Sequence, residues 1–442
     1  MKFIELFNED WTVNWDKITT IPQFEKLDKT KQSTVWHKEG DVLTHTNLVT
    51  SQMSIILNEN DVKCGTDEWI MCMAAAICHD LGKGTTTKWS NEKNDWTTKN
   101  HGPEGDMITR KLFYDEDVVL REKVCCMVRH HMALHHVFDK PEQSNKILIK
   151  LSHCIVPIKY LLWLNEADSR GSINEIENEE EINCRMLEVL HRTHHMECYE
   201  EPYSIVENSQ LIRNFIDYDG EVVNTTNDFC VYILCGFPGA GKTTYYKNYL
   251  SDKPLISRDV IRGELHIMGA TPDNDKKVVG TFKDEERVSE VFNKKLIECC
   301  ENKESCVIDN TNLRMKYRIE TLRLIMKYNP LVKIIWIEAP DFLNACIERR
   351  KEQIGSVVYD RLSKNYDFPQ LYECDELVIY KQFTDKDDET YIFSANTAPS
   401  EVSLQTQFLN DLKITRGAMI LDGYDCYDSC VKYMDELIKK YQ

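Results

Sequence analysis

The sequence predicts an all-α bundle followed by an α/β unit with a parallel sheet, and three observations carry that expectation. The chain has 442 residues, which suits two or three domains, each with enough apolar residues for its own core. Over residues 1 to about 205, apolar positions recur at helical spacing. From about 229 onward, short apolar runs alternate with helical patterns, the arrangement of strands joined by crossover helices.

In the first part, SQMSIILNEN (51–60), WIMCMAAAICHD (69–80), GDMITRKLF (105–113), REKVCCMVRHHM (121–132) and IKYLLWLNEAD (158–168) read as helices. After MECYEEPY the pattern loosens, which sets a helical domain at 1–205 and a linker at 206–228. FCVYILCG (229–236) is a buried strand that opens onto a glycine-rich loop. Further strands are expected at PLIS (254–257), SCVIDNTN (305–312), VKIIWIEA (332–339) and DELVIY (375–380). Between them DEERVSEVFNKKLIECC (284–300) places Val288, Phe292 and Leu296 on one helical face. The α/β domain is set at 229–385, and a C-terminal extension at 386–442 carries an amphipathic helix near CVKYMDELIKKY.

Composition narrows the function classes. No apolar run approaches the ~20 residues that span a bilayer, and MKFIELFNEDW lacks a basic-then-apolar leader, so a cytoplasmic protein without membrane partners is expected. The formal net charge of -19 argues against nonspecific coating of nucleic acid, while leaving room for a local basic groove at one strand end. ENEEE (177–181) reads as solvated helix surface. The 17 cysteines show no framework spacing and are expected as reduced, mostly buried thiols, with Cys426 and Cys430 of CYDSC as core residues.

The helix ending AAAICHDLGKG stops on His79 and Asp80, two good metal ligands. Partners stand around it: His45 in WHKEGDVLTHT, His101 in NHGPEGD, the pair His130 and His131 in VRHHM, and Asp168 in EADSRG. His45, His79, Asp80 and Asp168 form an imidazole and carboxylate set suited to a divalent transition metal such as Mn²⁺, Co²⁺ or Ni²⁺, with His101 and His131 available to a second ion. Such ions polarise phosphoryl oxygens and activate water. Lys83 is expected to meet substrate phosphate. The ordered set His, His-Asp, His, His, Asp resembles the HD phosphohydrolase superfamily over residues 35–172. GDVLTHT, CHDLGKG, HGPEG and ADSRG look like the HD domain of bacterial CCA-adding tRNA nucleotidyltransferases. Of the pair, His131 is favoured as ligand, because that superfamily usually sets its histidine directly before an apolar residue such as Met132. His135, His136, His194 and His195 read as core or surface residues.

GFPGAGKTT (236–244) satisfies the phosphate-loop spacing directly after a strand. Gly236, Gly239 and Gly241 let backbone amides approach phosphate. Lys242 meets the outer phosphates, and Thr243 binds Mg²⁺ with Thr244 beside it, so ATP or another NTP with Mg²⁺ is the expected cofactor. SRDVIR (257–262) then offers Asp259 as base for an attacking hydroxyl and Arg262 to hold an acceptor phosphate. This Asp-x-x-Arg after a strand resembles the acceptor site of 5′-hydroxyl polynucleotide kinases over residues 230–380. DNTNL (309–313) is similar to their third strand, and IERRKE (347–352) stands where they carry lid arginines, here Arg349 and Arg350. The second lid arginine expected about four residues on is absent, with Gln353 or Ile354 in its place.

An HD-domain helical bundle before a P-loop NTPase domain resembles the bifunctional HD phosphatase and polynucleotide kinase enzymes that heal RNA ends. The resemblance implies removal of a 3′-phosphate or 2′,3′-cyclic phosphate, phosphorylation of a 5′-hydroxyl, RNA or DNA ends as substrate, and an RNA ligase as a possible partner. Two rival readings are a small-nucleotide phosphohydrolase and kinase, and an HD hydrolase that ATP gates as a regulatory switch.

Overall fold

Thr66 and Asp117 show how the helical region is punctuated. Each side chain accepts a backbone N–H at a helix start, for the helices Asp67–Cys78 and Val118–His130. A computed structural model describes residues 1–139, 143–174, 179–204, 208–224, 226–267, 282–352, 354–384 and 386–394. The predicted helices form, with Val42–Glu59 packed between Asp67–Cys78 and Ile158–Gly171, and His101–Leu112 against Val118–His130. Their core gathers Val49, Met53, Ala75, Ile77, Leu161 and Leu164. Asp67–Cys78 is buried over residues 69–78, so its C-terminal end points into protein rather than water. One element of this region departs from the helical expectation: β1 (Lys88–Ser90) and β2 (Asp95–Thr97) pair as an antiparallel hairpin.

Among the described residues the α/β region has six strands: β3 (Cys230–Cys235), β4 (Leu255–Ile256), β5 (Cys306–Asp309), β6 (Leu331–Glu338), β7 (Glu376–Lys381) and β8 (Glu389–Ser394). Their order is β4-β5-β3-β6-β7-β8, parallel except for β8 against β7. β3 lies between two neighbours that come later in sequence, so its C-terminal end opens at the crevice where α/β sheets bind ligands. The fold class is therefore the expected one, a helical bundle followed by a mostly parallel P-loop-type sheet.

Two boundaries differ from expectation, and so does the junction between the regions. β8 falls beyond 385 yet completes the sheet, so the α/β region reaches at least Ser394. The expected linker contains the helix Asn208–Phe215, whose Leu211 joins the helical core while Ile212 joins the α/β core. The two regions are also welded rather than merely tethered. Arg110 reaches Glu122 at 2.6 Å, Arg121 meets Glu122 at 2.9 Å, and Arg121 meets Glu338 of β6 at 3.0 Å, all four side chains buried. Tyr114 donates its hydroxyl to the Ala339 carbonyl at 2.7 Å. Among the described residues 15 cysteines are unbridged and 13 of these are buried, as their composition suggested. Cys426, Cys430 and the helix expected near 430 lie outside the described residues.

Candidate active sites

The first site grows from helix ends. His79 follows the last residue of its buried helix, and its Nδ1 faces the Ala76 carbonyl at 2.8 Å. His101 opens its helix with Nδ1 on the Thr98 carbonyl at 2.8 Å, and His131 follows its helix with Nδ1 on the Val128 carbonyl at 2.7 Å. In all three the same local bond, to a carbonyl three residues back, commits Nδ1 as the donor and leaves Nε2 bare and turned inward. An imidazole held this way is oriented as a metal ligand. Gly82 lets the His79-Asp80 turn press on the His101 helix, because a Cβ there would lie 2.0 Å from the His101 carbonyl oxygen.

Two triads result, His45 with His79 and Asp168, and Asp80 with His101 and His131, each with ligand atoms within 4.8 Å of one another. Asp80 stands between them: Oδ2 is 3.3 Å from His79 Nε2, and Oδ1 is 3.5 Å from His101 Nε2 and 3.7 Å from His131 Nε2. The remaining contacts are equally close, His45 Nε2 at 2.9 Å from Asp168 and His101 Nε2 at 3.0 Å from His131 Nε2.

These residues fit divalent metal. The bare Nε2 atoms of His101 and His131 have no proton to exchange, so two lone pairs face each other at 3.0 Å. Asp80 Oδ1 is buried without a hydrogen bond, while Oδ2 has Lys83 Nζ at 2.7 Å. A cation between the ligands would satisfy all of these atoms at once. Electrostatics prepares them as well. Burial pushes His131 down to about 3, helped by His101 and His79, and burial also lowers His101, so both are neutral. Burial alone would raise Asp80, yet Lys83 and His79 hold it well below the usual carboxylate range. Burial opposes charge on His45, but its bonds to Asp168 and Glu39 raise it to about 9. When bound, a divalent ion held by these residues would polarise a phosphoryl oxygen and activate water.

The structure brings His45, His79, Asp80, His101, His131 and Asp168 together and sets His130 apart. His130, one position round the helix, points the other way, with Nε2 3.4 Å from Gln370 and with Cys126 and Cys154 as neighbours. Burial lowers it to about 4. Lys83 also differs from its expected part: it is buried, with Nζ 2.7 Å from Asp80 and 2.8 Å from Gln32, so it neutralises the ligand carboxylate rather than reaching outward. Sequence reasoning missed Glu39, whose Oε1 holds His37 Nδ1 at 2.8 Å and His45 Nδ1 at 2.9 Å. The only signal for it was an acid placed between two histidines in WHKEGDVLTH.

The second site lies at the end of β3. Gly239 (φ 77°) and Gly241 (φ 104°) adopt left-handed backbone, and a Cβ on Gly239 would lie 2.8 Å from the Cys346 carbonyl. Gly236 begins the loop with its N–H on the Thr311 carbonyl at 3.1 Å. Lys242 Nζ folds over the loop onto the Gly236 and Phe237 carbonyls, both at 3.0 Å. Burial lowers its pKa against the opposing charge of Asp309. Thr243 donates to Asp309 at 3.0 Å, which pairs the hydroxyl and the carboxylate that would hold Mg²⁺. Thr244 is exposed on the following helix, Lys242–Tyr249.

Asp259 and Arg262 sit on the helix Arg258–Glu264 beyond β4, paired at 2.5 Å, with the Asp259 side chain 90% exposed. Glu285 anchors Arg262 through Nε and Nη2, each at 2.9 Å. Arg349 donates to the Gly239 carbonyl at 3.1 Å, so the helix Asn344–Arg350 touches the phosphate loop, and Arg350 Cγ also packs beside Gly239. Gln353 lies outside the described residues. Asp309, Glu285 and Gln382, which contacts both Arg349 and the Ala240 carbonyl, were not anticipated.

Residues 42–152 match the HD domain family, and residues 231–361 match the AAA domain family. The chain thus contains an HD domain and a kinase-like P-loop domain; HD domains bind divalent metals, and P-loop kinases of this class use NTP with Mg²⁺. Among solved structures it is similar to the crystal structure of AvrRxo1-ORF1:AvrRxo1-ORF2 with sulphate ions, at 11% identity and a TM-score of 0.25, covering 64% of this chain and 89% of that one. No helix among the described residues is long and apolar enough to cross a membrane.

Proposed function

We propose that this protein heals nucleic-acid ends, removing a 3′-phosphate or opening and removing a 2′,3′-cyclic phosphate at the HD centre and phosphorylating a 5′-hydroxyl at the P-loop. The observation that carries the reading is the exposed Asp259 carboxylate, paired with Arg262 at 2.5 Å and near enough to Lys242 for their charges to interact. A phosphate loop that only switches needs no base for an acceptor hydroxyl, whereas a kinase does.

In the kinase step Asp259 takes the proton of the 5′-hydroxyl as its oxygen attacks the γ-phosphorus. The bond to the bridging oxygen breaks, and nucleoside diphosphate leaves. Lys242, Arg349 and Arg350 are the cations we assign to the charge that develops. In the hydrolytic step water adds to phosphorus as the bond from phosphorus to the sugar oxygen breaks, and that oxygen leaves as a hydroxyl carrying a proton from the water; a 3′-phosphate needs one such step, and a 2′,3′-cyclic phosphate two, the first opening the ring and the second releasing phosphate. Cleaved RNA carries the ends that these two reactions correct, and an RNA ligase in the same compartment, the cytoplasm on this reading, would use the products.

The test is incubation of a 5′-hydroxyl, 3′-phosphate RNA oligonucleotide, and its DNA counterpart, with ATP, Mg²⁺ and Mn²⁺, followed by analysis of both ends. A 5′-phosphate and a 3′-hydroxyl are expected. Phosphorylation of free nucleosides in strong preference to oligonucleotides would replace this reading with a small-nucleotide enzyme, and ATP consumption without a phosphorylated product would replace it with a switch.

A further inference from the structure

The hairpin β1/β2 is tied at both stems to the metal ligands. Its first strand follows the short helix Lys83–Thr86, whose Lys83 grips Asp80, and its second strand runs into Thr98, whose carbonyl faces His101 Nδ1. A second segment joins it: Gln32 accepts from Lys83, and Ser33 donates to Asp95 of β2. This rim carries three tryptophans. Trp89 and Trp96 face each other across the hairpin with ring centroids 5.4 Å apart, and Trp89 and Trp36 are 48% and 46% exposed.

A cross-strand aromatic pair stabilises a short hairpin, which accounts for Trp89 against Trp96. It does not account for Trp36, for the neighbouring exposed Val35, or for the local charge. In a chain of net charge -19, segments 31–38 and 84–99 carry Lys31, Lys38, Lys88, Lys93 and Lys99 against Glu92 and Asp95 alone, an excess of three positive charges. Indole faces interleaved with lysines match a flexible polyanion with stackable bases, because every base offers a π-face whatever its sequence.

We propose that Trp36, Trp89 and Trp96, with the lysines around them, form a docking platform for the single-stranded 3′ end of a nucleic acid, stacking its last bases and delivering the terminal phosphate to the HD centre. This rests on the end-healing reading and sharpens it, since the preferred substrate becomes a single strand rather than a mononucleotide or a duplex end.

The test compares steady-state removal of 3′-phosphate from a single-stranded RNA oligonucleotide with that from a nucleoside 3′-monophosphate, in the wild type, Trp89→Ala and Trp36→Ala. Each substitution should raise the oligonucleotide KM by about tenfold, the scale of one lost stack, while the mononucleotide KM moves less than twofold. Metal content equal to the wild type shows that the centre itself remains assembled. Independently of turnover, a single-stranded oligonucleotide should quench tryptophan fluorescence in the wild type and less in Trp89→Ala. The triple change Lys88→Gln, Lys93→Gln and Lys99→Gln should flatten the salt dependence of that binding by about two units of slope. An unchanged oligonucleotide KM in Trp89→Ala, equal losses for both substrates, or a wild type that binds blunt duplex as well as single strand would overturn the platform. Fluorescence quenching without removal of phosphate from either substrate would overturn the end-healing reading and leave the platform standing.

Discussion

At the HD centre the six candidate ligand side chains are buried, and each ring is fixed by a bond to a carbonyl three residues back or to a neighbouring carboxylate. At the phosphate loop Asp259 is 90% exposed, Thr243 and Thr244 face solvent, and Lys242 rests on loop carbonyls. The first site is assembled by the fold, with its polar groups facing one another as an ion would require; the second is held partly open. The difference follows from the chemistry. Closely spaced metal ligands must be desolvated and oriented in advance, whereas two large phosphorylated reactants need access to their site.

Ligand changes should separate the two sites most sharply. Asp80→Asn replaces the carboxylate between both triads with an amide, so hydrolysis of 3′ ends should fall to background while 5′ phosphorylation persists. His79→Ala and Asp168→Asn should behave alike. Metal analysis of the purified variants checks the cause, since each should retain less metal than the wild type. Lys242→Ala is the converse, with kinase activity lost and hydrolysis kept. Loss of both activities in a folded single variant would show that the sites depend on each other.

Asp259→Asn should lower phosphoryl transfer by roughly 10²-fold or more while ATP binding stays near the wild type, because general-base catalysis contributes on that scale. The exposure of Asp259 makes this a clean change, with little effect on thermal unfolding expected. Near-normal transfer would reassign Asp259 to a structural role at the start of its helix.

A smaller effect tests whether the two regions are mechanically distinct. Arg121→Ala strands Glu338 in the buried junction, and breaking such a pair costs about 3–5 kcal/mol. Denaturant unfolding followed by probes in each region should move both transitions to lower concentration together. Movement of the α/β transition alone would show that the helical region is stable without the junction.

The candidate metal site was legible in outline because several of its residues, His79, Asp80, His101 and His131, sit at helix ends that the apolar periodicity reveals, just beyond runs such as those ending at Ile77 and Val128. The choice between His130 and His131 turns on a 100° step that only helix packing decides, and that packing sends His130 toward Gln370. Glu39 and Gln32 act through loop contacts no local pattern encodes. Asp309 lay within the quoted DNTNL, but its partnership with Thr243 depends on β5 pairing with β3, which is a property of sheet order. ETYIFS carried a strand signal of its own, yet it follows the polar stretch DKDDE and forms an edge strand, half exposed in alternation, so a boundary drawn where the apolar runs stop falls short of it.

The mildest expected effect concerns protons at the metal centre. Without metal, His45 is held between Glu39 and Asp168 and its pKa is raised to about 9, above its ordinary value of 6.5, so at neutral pH it carries a proton on the very nitrogen that faces the other ligands. A cation taken up there must displace that proton, and the apparent affinity of the apoprotein for Mn²⁺ should therefore rise about tenfold per pH unit up to about 9 and then level off. The same linkage gives the sign for stability. A raised pKa favours the folded apoprotein fully below about 6.5, and that contribution is lost as pH rises toward 9. Glu39→Gln removes one of the two carboxylates that sustain the proton, so it should lower the His45 pKa, reduce the proton released on binding at neutral pH and above, and make the affinity level off at a lower pH. Calorimetric titration of Mn²⁺ in buffers of different ionisation enthalpy measures that proton directly, and an affinity independent of pH between 6 and 8 with no proton release would show that His45 does not lie among the ligands.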